Sequence, residues 1–476
     1  MLMLSMDYPK LGFKSGLEIH GQLDVGKLFC SCPAALRRDK PDFTVNRKIR
    51  AMAGETGKID AAAAHAQAKG LRYIYEGYDD TTCLVELDEE PPHAINQEAL
   101  NTALTVATIL HCNIPDYIQV MRKTIVDGSN VAAFQRTLLV ATDGYIKLNG
   151  RKISVAFVGL EEDAARRTAE TKETVTFRLD RLGIPLLEVT TGPDIQTPDE
   201  AKEVALYIGR LLRATGKAMR GIGTIRQDVN VSIKGHPRVE LKGFQELRQM
   251  PETIRQEVRR QKEAISAKEK LVGHVRNAKP DFSSKFLRPM AGAARMYPET
   301  DLPLIEISSK MLADIKKQVP ELPDKKLERL MKAGLSEELA SQVLFSKTFD
   351  DLHKKFPKLD IKLLATTLLS TQKEAKKKVG LDRGTFTEKH FAQIFSLFET
   401  GNISKEAILD LLVAVAKGET VLAAAKRFQL LSPAEIKKEI VSLKHQFRHV
   451  PEDKLKGIII GKLRGRAQIQ DVLNQF

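Results

Sequence analysis

Two periodicities of apolar residues divide the chain into two parts. Up to about residue 300, short stretches alternate apolar and polar positions, and Gly, Pro or Asn-Gly separates them, as is typical of strands. Helical spacing interrupts these stretches at 97–112, 198–215 and 251–270. Residues 1–303 are therefore predicted to form an α+β domain, a mixed or antiparallel sheet with helices.

Beyond about Pro303 the alternating stretches end, and apolar residues recur at helical spacing, as in KLERLMKAGLSEELASQVL. A second helical pattern begins near Gly401 with GNISKEAILDLLVAVAKG. The sequence predicts an all-helical domain over 304–400 and a small helical tail domain over 401–476. A chain of this length exceeds what one hydrophobic core usually serves, which also favours several domains.

Among the predicted strands, TCLVELD (82–88) and IPLLEVT (184–190) are mainly apolar, and GLEIH (16–20) combines apolar and ionisable residues. Glu18 and His20 are two positions apart, so on a strand their side chains project from the same face. Glu188 lies inside the apolar IPLLEVT segment, where an unpaired carboxylate is costly to bury. The Glu188 carboxylate is therefore expected to have a partner.

Three consecutive acids follow another apolar stretch, in LEEDAARRT. Adjacent strand residues point to opposite faces, so only one or two of Glu161, Glu162 and Asp163 are expected to reach a common site. A surface position or a salt bridge is the alternative for each of these carboxylates.

In the segment IRQDVNVS, Asp228, Asn230 and Ser232 alternate onto one face and offer a row of oxygen atoms. Oxygen ligands suit Mg²⁺, which often bridges to phosphate groups. The acidic strands together are therefore a candidate metal and nucleotide site, although the chain has no Walker A loop for binding nucleotide phosphates.

The 75 Lys and Arg residues exceed the 61 Asp and Glu residues, giving a formal net charge of +14. Basic residues concentrate near the C-terminus, where an RNA-binding role is predicted for Lys454, Lys456, Lys462, Arg464 and Arg466. A solvated helical surface explains the same charges without RNA. No run of about 20 apolar residues and no signal-peptide pattern occurs, so we expect a cytoplasmic protein that does not associate with membranes.

The four cysteines, Cys30, Cys32, Cys83 and Cys112, are too few for a dense disulfide framework. Thiolates suit Zn²⁺, and a four-cysteine site is one interpretation, with Cys30 and Cys32 as its close pair. The spacing is not that of a zinc ribbon, and small buried or partly exposed thiols are the alternative.

In order along the chain, several motifs resemble the GatB/GatE family of tRNA-dependent amidotransferase subunits. The motifs are GLEIHGQLDVGKLFCSCP, LEEDAARRT, LGIPLLEVTTGPDI, GTIRQDVNVSI, VELKGFQEL and GKLRGRA. Three further segments resemble the archaeal GatE branch: TCLVELDEEPPHAIN, DGSNVAAFQRT and AARMYPETDLP. The resemblance covers nearly the whole chain and implies a catalytic cradle, a helical domain and a tail domain.

For the activity, the resemblance implies that ATP phosphorylates the glutamate side chain of Glu-tRNA(Gln) and that ammonia then displaces the phosphate. An asparaginase-like partner of the GatD type is implied as the ammonia source, in a heterotetramer. The sequence fits this division, because it contains no amidase-like Ser/Gly-rich segment. Amidation of Asp-tRNA(Asn) and a non-catalytic tRNA-binding assembly factor stay open as alternatives.

Matched by position, the resemblance assigns roles to the polar strand residues. It implies that the Mg²⁺ ligands are His20, Glu162 and Glu188. It also implies that two neighbouring groups bind metal, water or the nucleophile, namely Glu18 and Glu161.

The remaining roles implied by the resemblance concern the nucleotide and the substrate. One strand is implied to face the nucleotide or the substrate with Arg226, Asp228 and Asn230. Lys242 in VELKG is either a phosphate contact or a paired structural lysine. GatE proteins usually carry a synthetase-like insertion ahead of the ARMYPETD segment, and here only a linker-like stretch, 271–289, occupies that place.

Overall fold

The computed structural model divides into two compact units, residues 1–321 and 322–476. It describes residues 6–51, 57, 59, 61–244, 246–290, 296–381, 386–467 and 469–475. Residues 293–295, which begin the AARMYPETDLP segment, lie outside the described residues. The first unit combines strands and helices and the second is helical, which confirms the predicted α+β class.

The strands of the described residues all lie in the first unit. They are β1 (Lys14–Gln22), β2 (Phe43–Arg47), β3 (Arg72–Gly77), β4 (Tyr117–Ile118), β5 (Val120–Thr124), β6 (Phe134–Leu148), β7 (Arg151–Glu162), β8 (Arg166–Glu170), β9 (Thr174–Arg178), β10 (Pro185–Thr191), β11 (Ile225–Ser232), β12 (Val239–Lys242), β13 (His274–Ala278), β14 (Ser284–Pro289), β15 (Met296–Pro298) and β16 (Ile305–Glu306).

The helices of this unit are α1 (Ala61–Gln67), α2 (Gln97–Ile109), α3 (Pro198–Ala214), α4 (Met250–Ser266) and α5 (Ser309–Gln318). The three helices predicted from the sequence are confirmed as α2, α3 and α4. The start of α3 shows why the pattern was readable: the Thr197 hydroxyl accepts a hydrogen bond from Glu200 N at 3.1 Å, and Pro198 occupies the first turn.

Ten of the described strands form one large sheet in the order β14-β13-β12-β11-β1-β10-β7-β6-β5-β15. The pairing of β12 with β13 is parallel and the others are antiparallel, so the sheet is mixed. A smaller sheet has the order β2-β3-β9-β8, and β16 pairs with β4. The strand β1, which carries the GLEIH motif, lies between β11 and β10 near the middle of the large sheet.

One face of the large sheet is apolar and covered by helices. The helix α3 packs on β1, α2 on β6 and β7, and α4 on β11. Alternate residues of the central strands enter this core, including the buried Leu17, Ile19, Leu187 and Val229. The residues between them therefore project from the opposite face, and there the candidate site lies.

The second unit consists of helices of short to moderate length. They are α6 (Pro323–Lys332), α7 (Glu337–Val343), α8 (Lys347–Lys355), α9 (Ile361–Thr366), α10 (Gln372–Lys378), α11 (Glu388–Glu399), α12 (Ala407–Ala416), α13 (Val421–Ala425), α14 (Pro433–Gln446), α15 (Glu452–Leu463) and α16 (Ile469–Leu473). One hydrophobic cluster runs from Leu330 to Ala425, and another joins α14, α15 and α16. The domain boundaries near residues 303 and 401 stay predictions.

Two expectations about the first unit are wrong. Residues 82–88 form turns, because the Glu86 carboxylate accepts a hydrogen bond from Cys83 N at 2.7 Å and Asp88 has a φ of 57°. Such local bonds compete with strand pairing. The linker-like stretch 271–289 instead contains the hairpin of β13 and β14, which extends the large sheet.

Among the described residues, none of the helices combines the length and the apolar character needed to cross a bilayer.

Candidate functional site

The register of the central strands brings ionisable residues from distant segments into one row. His20 on β1 lies opposite Glu188 on β10 and opposite Arg226 on β11. Glu18, two residues earlier, lies opposite Asp228. Directly paired residues share a face of the sheet, so all five side chains project from the face that the helices leave uncovered. We call this the polar face.

A histidine and two glutamates converge on the polar face. His20 Nε2 is 3.8 Å from Glu161 Oε1 and 3.9 Å from Glu188 Oε1. One possible metal-ligand atom from each of the three side chains lies within 4.8 Å of the others. We call these residues the His–Glu cluster. Lys123 Nζ contacts Glu161 Oε2, and the Thr190 hydroxyl donates to Glu188 Oε1 at 3.1 Å.

The two carboxyl groups of the His–Glu cluster titrate differently because their neighbours differ. Burial by itself raises the pKa of Glu161, but the nearby charges of Lys123 and His20 offset it, so that pKa is lowered. Burial raises the pKa of Glu188, and the negative charge of Glu161 raises it further. The cluster therefore holds one stable carboxylate beside another whose ionised form needs a compensating positive charge.

Glu162 does not join the His–Glu cluster, which corrects the predicted ligand set. As the next residue along β7, it projects from the opposite face, where Arg136 Nη1 lies 3.5 Å from Glu162 Oε1. Arg136 Nε also lies 3.0 Å from Glu299 Oε2, and Arg122 contacts the other oxygen of Glu299. Glu162 is thus part of a buried ion-pair network, and Glu161 takes the place predicted for it.

A second acidic group lies beside the first on the polar face. Glu18, Asp228 and Glu240 each offer a carboxylate oxygen within 4.8 Å of the others. Lys242 Nζ lies 2.5 Å from both Asp228 Oδ2 and Glu240 Oε1, so Lys242 is a paired lysine in this structure. Burial lowers the pKa of Lys242, but the two acids outweigh it and raise that pKa. Asn230 Nδ2 donates to Glu18 Oε1 at 2.9 Å.

Arg226 is fixed by the third acid of the LEED motif. Arg226 Nη2 donates to Asp163 Oδ1 at 2.9 Å, and Gln22 Nε2 donates to Asp163 Oδ2 at 2.6 Å. Arg181 Nε lies 3.7 Å from the same oxygen. The buried Asp163 therefore holds two guanidinium groups beside the row of acids, where they can meet an anionic ligand.

Three of the four cysteines converge on Glu86, away from Cys112. Cys30 Sγ donates to Glu86 Oε1 at 2.8 Å, and the donor atoms of Cys30, Cys32, Cys83 and Glu86 lie within 4.8 Å of one another. The hydrogen bond from Cys30 lowers the pKa of Cys32 to about 7, and burial raises the pKa of Cys83 to about 11. The interpretation that includes Cys112 is therefore wrong, and Glu86 stands in its place.

In the tail, α15 buries Leu455, Ile459 and Leu463 and turns its basic residues outward. The exposed basic side chains, which we call the basic tail surface, are Lys454, Lys456, Lys462 and Arg464. Arg466 is partly buried, and its Nη2 atom lies 3.5 Å from Glu439 Oε1. Four of the five residues predicted to bind RNA are thus exposed to solvent.

Sequence reasoning missed Lys123, Glu240 and Glu86. Glu240 had a readable signal, because Glu240 and Lys242 in VELKG alternate in the same way as Asp228 and Asn230. Lys123 lies in RKTIVDG, which offers no such pattern, and only the strand order brings it to Glu161. Glu86 was obscured by the wrong strand prediction for its segment.

Fold and site together define a class of domain: a mixed sheet with helices on its apolar face and a His–Glu cluster on its polar face. The family model described as the GatB/GatE catalytic domain matches residues 13–313, which include every residue of that cluster. The chain belongs to the GatB/GatE family.

Curated relatives align with nearly the whole chain. It is 34% identical to the E subunit of glutamyl-tRNA(Gln) amidotransferase from Methanocaldococcus jannaschii over 626 positions, covering 99% of both chains. It is 34% identical to the corresponding protein of Pyrobaculum neutrophilum, which carries the same name, covering 98% of both. An alignment of 626 positions against 476 residues leaves at least 150 positions without a counterpart here, so this chain is shorter than the first relative, as expected.

Proposed function

We propose that this chain is the tRNA-binding catalytic subunit of an amidotransferase that converts Glu-tRNA(Gln) into Gln-tRNA(Gln) with ATP and Mg²⁺. Membership of the GatB/GatE family and the names of the relatives support the reaction. The observation that carries the proposal is the His–Glu cluster, an acid-rich site inside the matched catalytic domain.

The donor set of the His–Glu cluster fits a divalent cation. Two carboxylates and an imidazole within 4.8 Å of one another supply three ligands, and carboxylate oxygens suit Mg²⁺. The raised pKa of Glu188 fits too, because a cation offsets the repulsion between Glu188 and Glu161. His20, Glu161 and Glu188 would hold the ion, which supplies positive charge to phosphate oxygens when bound.

In the proposed reaction, the substrate carboxylate attacks the γ-phosphorus of ATP, ADP leaves, and an acyl phosphate forms. Ammonia then attacks the acyl carbon, phosphate leaves, and the amide loses a proton. Arg226 and Lys123 lie on the polar face and offer positive charge to the phosphate groups. Asp163 holds Arg226 in place, so this part of the site is preorganised.

We assign the supply of ammonia to a separate asparaginase-like subunit of the GatD type, in a cytoplasmic heterotetramer. The absence of an amidase-like segment from the sequence supports this division of labour.

The basic tail surface is proposed to bind the phosphate backbone of tRNA. Four exposed basic side chains on and directly after one helix support this, since cations that neutralise phosphates dominate RNA affinity. Arg466 has a smaller part, because Glu439 already pairs with it.

A structural zinc ion is proposed at Cys30, Cys32, Cys83 and Glu86. Three thiols and a carboxylate match the four ligands of a closed tetrahedral site. The cluster ties the segment after β1 to the turns at 82–88, so its role would be to hold these loops together.

The test is an amidation assay on the full chain, with ammonium chloride as the nitrogen source and Glu-tRNA(Gln) or Asp-tRNA(Asn) as substrate. We expect ATP-dependent Gln-tRNA formation, and its loss in Glu188→Gln. Formation of Asn-tRNA instead would favour the Asp-tRNA alternative. Tight tRNA binding without ATP hydrolysis would favour the assembly factor and refute the enzyme.

A further inference from the structure

A lysine beside the proposed zinc site is fully buried and takes no part in the proposed reaction. Lys27 follows β1 and precedes Cys30 by three residues, and its side chain has no exposed surface. Burying an ammonium group is costly unless several polar partners compensate it. The partners of Lys27 therefore decide what this charge can do.

The ammonium group of Lys27 is held by two carbonyls and one carboxylate. Its Nζ atom donates to Thr81 O at 2.6 Å and to Leu179 O at 3.3 Å. The same atom lies 3.3 Å from Glu86 Oε1, which supplies the countercharge. Lys27 thus joins the loop after β1 to the turns that carry Glu86 and to the residue that follows β9.

The Glu86 carboxylate is shared between Lys27 and the cysteines. Its Oε1 atom accepts a hydrogen bond from Cys30 Sγ at 2.8 Å, and its Oε2 atom accepts one from Cys83 N at 2.7 Å. Cys32 Sγ lies 3.9 Å from the same Oε2 atom. The charge of Lys27 therefore acts directly on one member of the proposed zinc site.

The main chain at Gly183 packs against both partners of this ion pair. A Cβ atom at Gly183 would lie 3.4 Å from Lys27 Cδ and 3.5 Å from Glu86 Oε1. Both distances are ordinary van der Waals contacts, so the lysine stem and the carboxylate lie side by side against the backbone. This packing limits the positions that the Glu86 carboxylate can take.

The ligands of the proposed zinc site carry an excess of negative charge. Three thiolates and a carboxylate have two more negative charges than a zinc ion neutralises. Glu86 is buried and the three cysteines are partly buried, so water screens this excess incompletely. Lys27 supplies one positive charge next to Glu86 and removes half of the excess.

We propose that Lys27 is a positioning residue of the proposed zinc site, which holds Glu86 in place and offsets the charge of the thiolates. The proposal rests on that zinc site and adds a residue outside its four ligands. Replacing a group that supports metal ligands commonly lowers metal affinity about 10–100-fold. A lysine that supported only the fold would change stability and leave the zinc affinity unaltered.

Arg47 provides a matched control for Lys27. Its Nη2 atom donates to Leu87 O at 2.8 Å and lies 2.7 Å from Glu89 Oε1, so it also holds the turns at 82–88 through a carbonyl and a carboxylate. Glu89 is not a member of the proposed zinc site. Lys27→Met and Arg47→Met each remove one cation from these turns, but only Lys27→Met removes a charge that pairs with a proposed ligand.

The test measures zinc affinity on the full chain after a chelator has removed its metal. Zinc is titrated in competition with a chromophoric chelator of known affinity, and circular dichroism verifies that each variant is folded. We expect Lys27→Met to weaken zinc binding by at least about tenfold and Arg47→Met to stay within about twofold of wild type. Equal zinc affinity in wild type and folded Lys27→Met overturns the proposal.

A second comparison applies if Lys27→Met does not fold. Glu86→Gln and the double variant Lys27→Met, Glu86→Gln differ only at the lysine, and the double variant leaves neither charge of the ion pair buried alone. We expect the double variant to bind zinc at least about tenfold more weakly than Glu86→Gln, and equal affinities overturn the proposal.

The zinc site and the role of Lys27 can fail separately. Wild-type protein that binds no zinc refutes the proposed site and with it the role of Lys27. Zinc binding by the wild type that does not depend on Lys27 refutes the role of the lysine alone. The amidation assay tests the proposed reaction independently, because it monitors product formation at the His–Glu cluster and not zinc content.

Discussion

Glu161 and Glu162 are adjacent, buried and acidic, yet their side chains lie on opposite faces of the sheet and have different partners. Glu161 belongs to the His–Glu cluster, and Glu162 pairs with Arg136 on the other face. Substituting each by glutamine keeps the shape and removes the charge. The pair of variants therefore separates the chemistry of the polar face from the stability of the fold.

For Glu161→Gln we expect kcat to fall by about 10²–10³, the size of effect seen when one preorganised electrostatic contact is removed. Its free energy of unfolding should change by no more than about 1–2 kcal/mol. The reason is that the substitution removes the ion pair with Lys123 and also the repulsion of Glu188, and these two effects oppose each other.

For Glu162→Gln we expect kcat to be kept. Burial raises the pKa of Glu162 in spite of the Arg136 charge, so glutamine removes both an ion pair and a desolvation cost. The free energy of unfolding should therefore change by no more than about 1–2 kcal/mol, while Arg136 keeps Glu299 at 3.0 Å. The Arg136 backbone N–H, 3.2 Å from Glu162 Oε2, can still donate to the amide oxygen. The value of kcat should stay within about threefold of wild type below the melting temperature.

The measurements are urea unfolding and amidation with saturating ammonium chloride, at a temperature where both variants are folded. If Glu162→Gln loses as much kcat as Glu161→Gln while folded, the assignment of the two faces is wrong. Full activity in Glu161→Gln would remove that carboxylate from the proposed metal site.

Three further predictions concern other parts of the chain. Purified protein should contain about one zinc per chain by atomic emission. Cys30→Ser should lose the metal and melt at a lower temperature, and Cys112→Ser should keep the metal. Equal zinc content in the two variants would refute the proposed zinc site. Replacing the basic tail surface with alanine should weaken tRNA binding and reduce the slope of log K against log salt by about 3, and an unchanged slope would leave those residues as solvated surface. Burial alone would raise the pKa of Glu299, but hydrogen bonding and charge from Arg122 outweigh it and lower that pKa, so ionised Glu299 stabilises the fold above the usual value of 4.5 and this stabilisation is lost as pH falls through the lower folded pKa. At pH 7 the free energy of unfolding of Glu299→Gln should therefore be about 3–5 kcal/mol below that of the wild type, and the variant should lose less stability on acidification. Parallel profiles of unfolding free energy against pH would contradict this.

The sequence pattern predicts those helices and strands that depend on interactions within their own segment. The three helices of the first unit were readable because apolar spacing and capping lie within each segment. The same holds for β1, β10 and β11, whose alternation placed Glu18 with His20 and Asp228 with Asn230 on shared faces.

Choosing between Glu161 and Glu162 required information from outside their strand. Alternation shows that they face opposite ways, but only the pairing of β7 with β10 shows which one meets His20. The same limit explains why the sequence does not identify Lys123 and Glu86 as site residues. Their partners are 38 and 56 residues away along the chain. The turns at 82–88 were missed because a side chain, not an apolar pattern, determines them.

The hairpin of β13 and β14 leaves β14 as an outer strand of the large sheet, as far as the described residues extend. An outer strand presents main-chain groups that can recruit a strand from another molecule, and the exposed Phe286 and Leu287 increase that tendency. Lys285 and Arg288 flank these two residues, and Pro289, which lacks an N–H, ends the strand. We therefore expect Lys285, Arg288 and Pro289, which have no part in the His–Glu cluster, to disfavour pairing of this strand with another molecule.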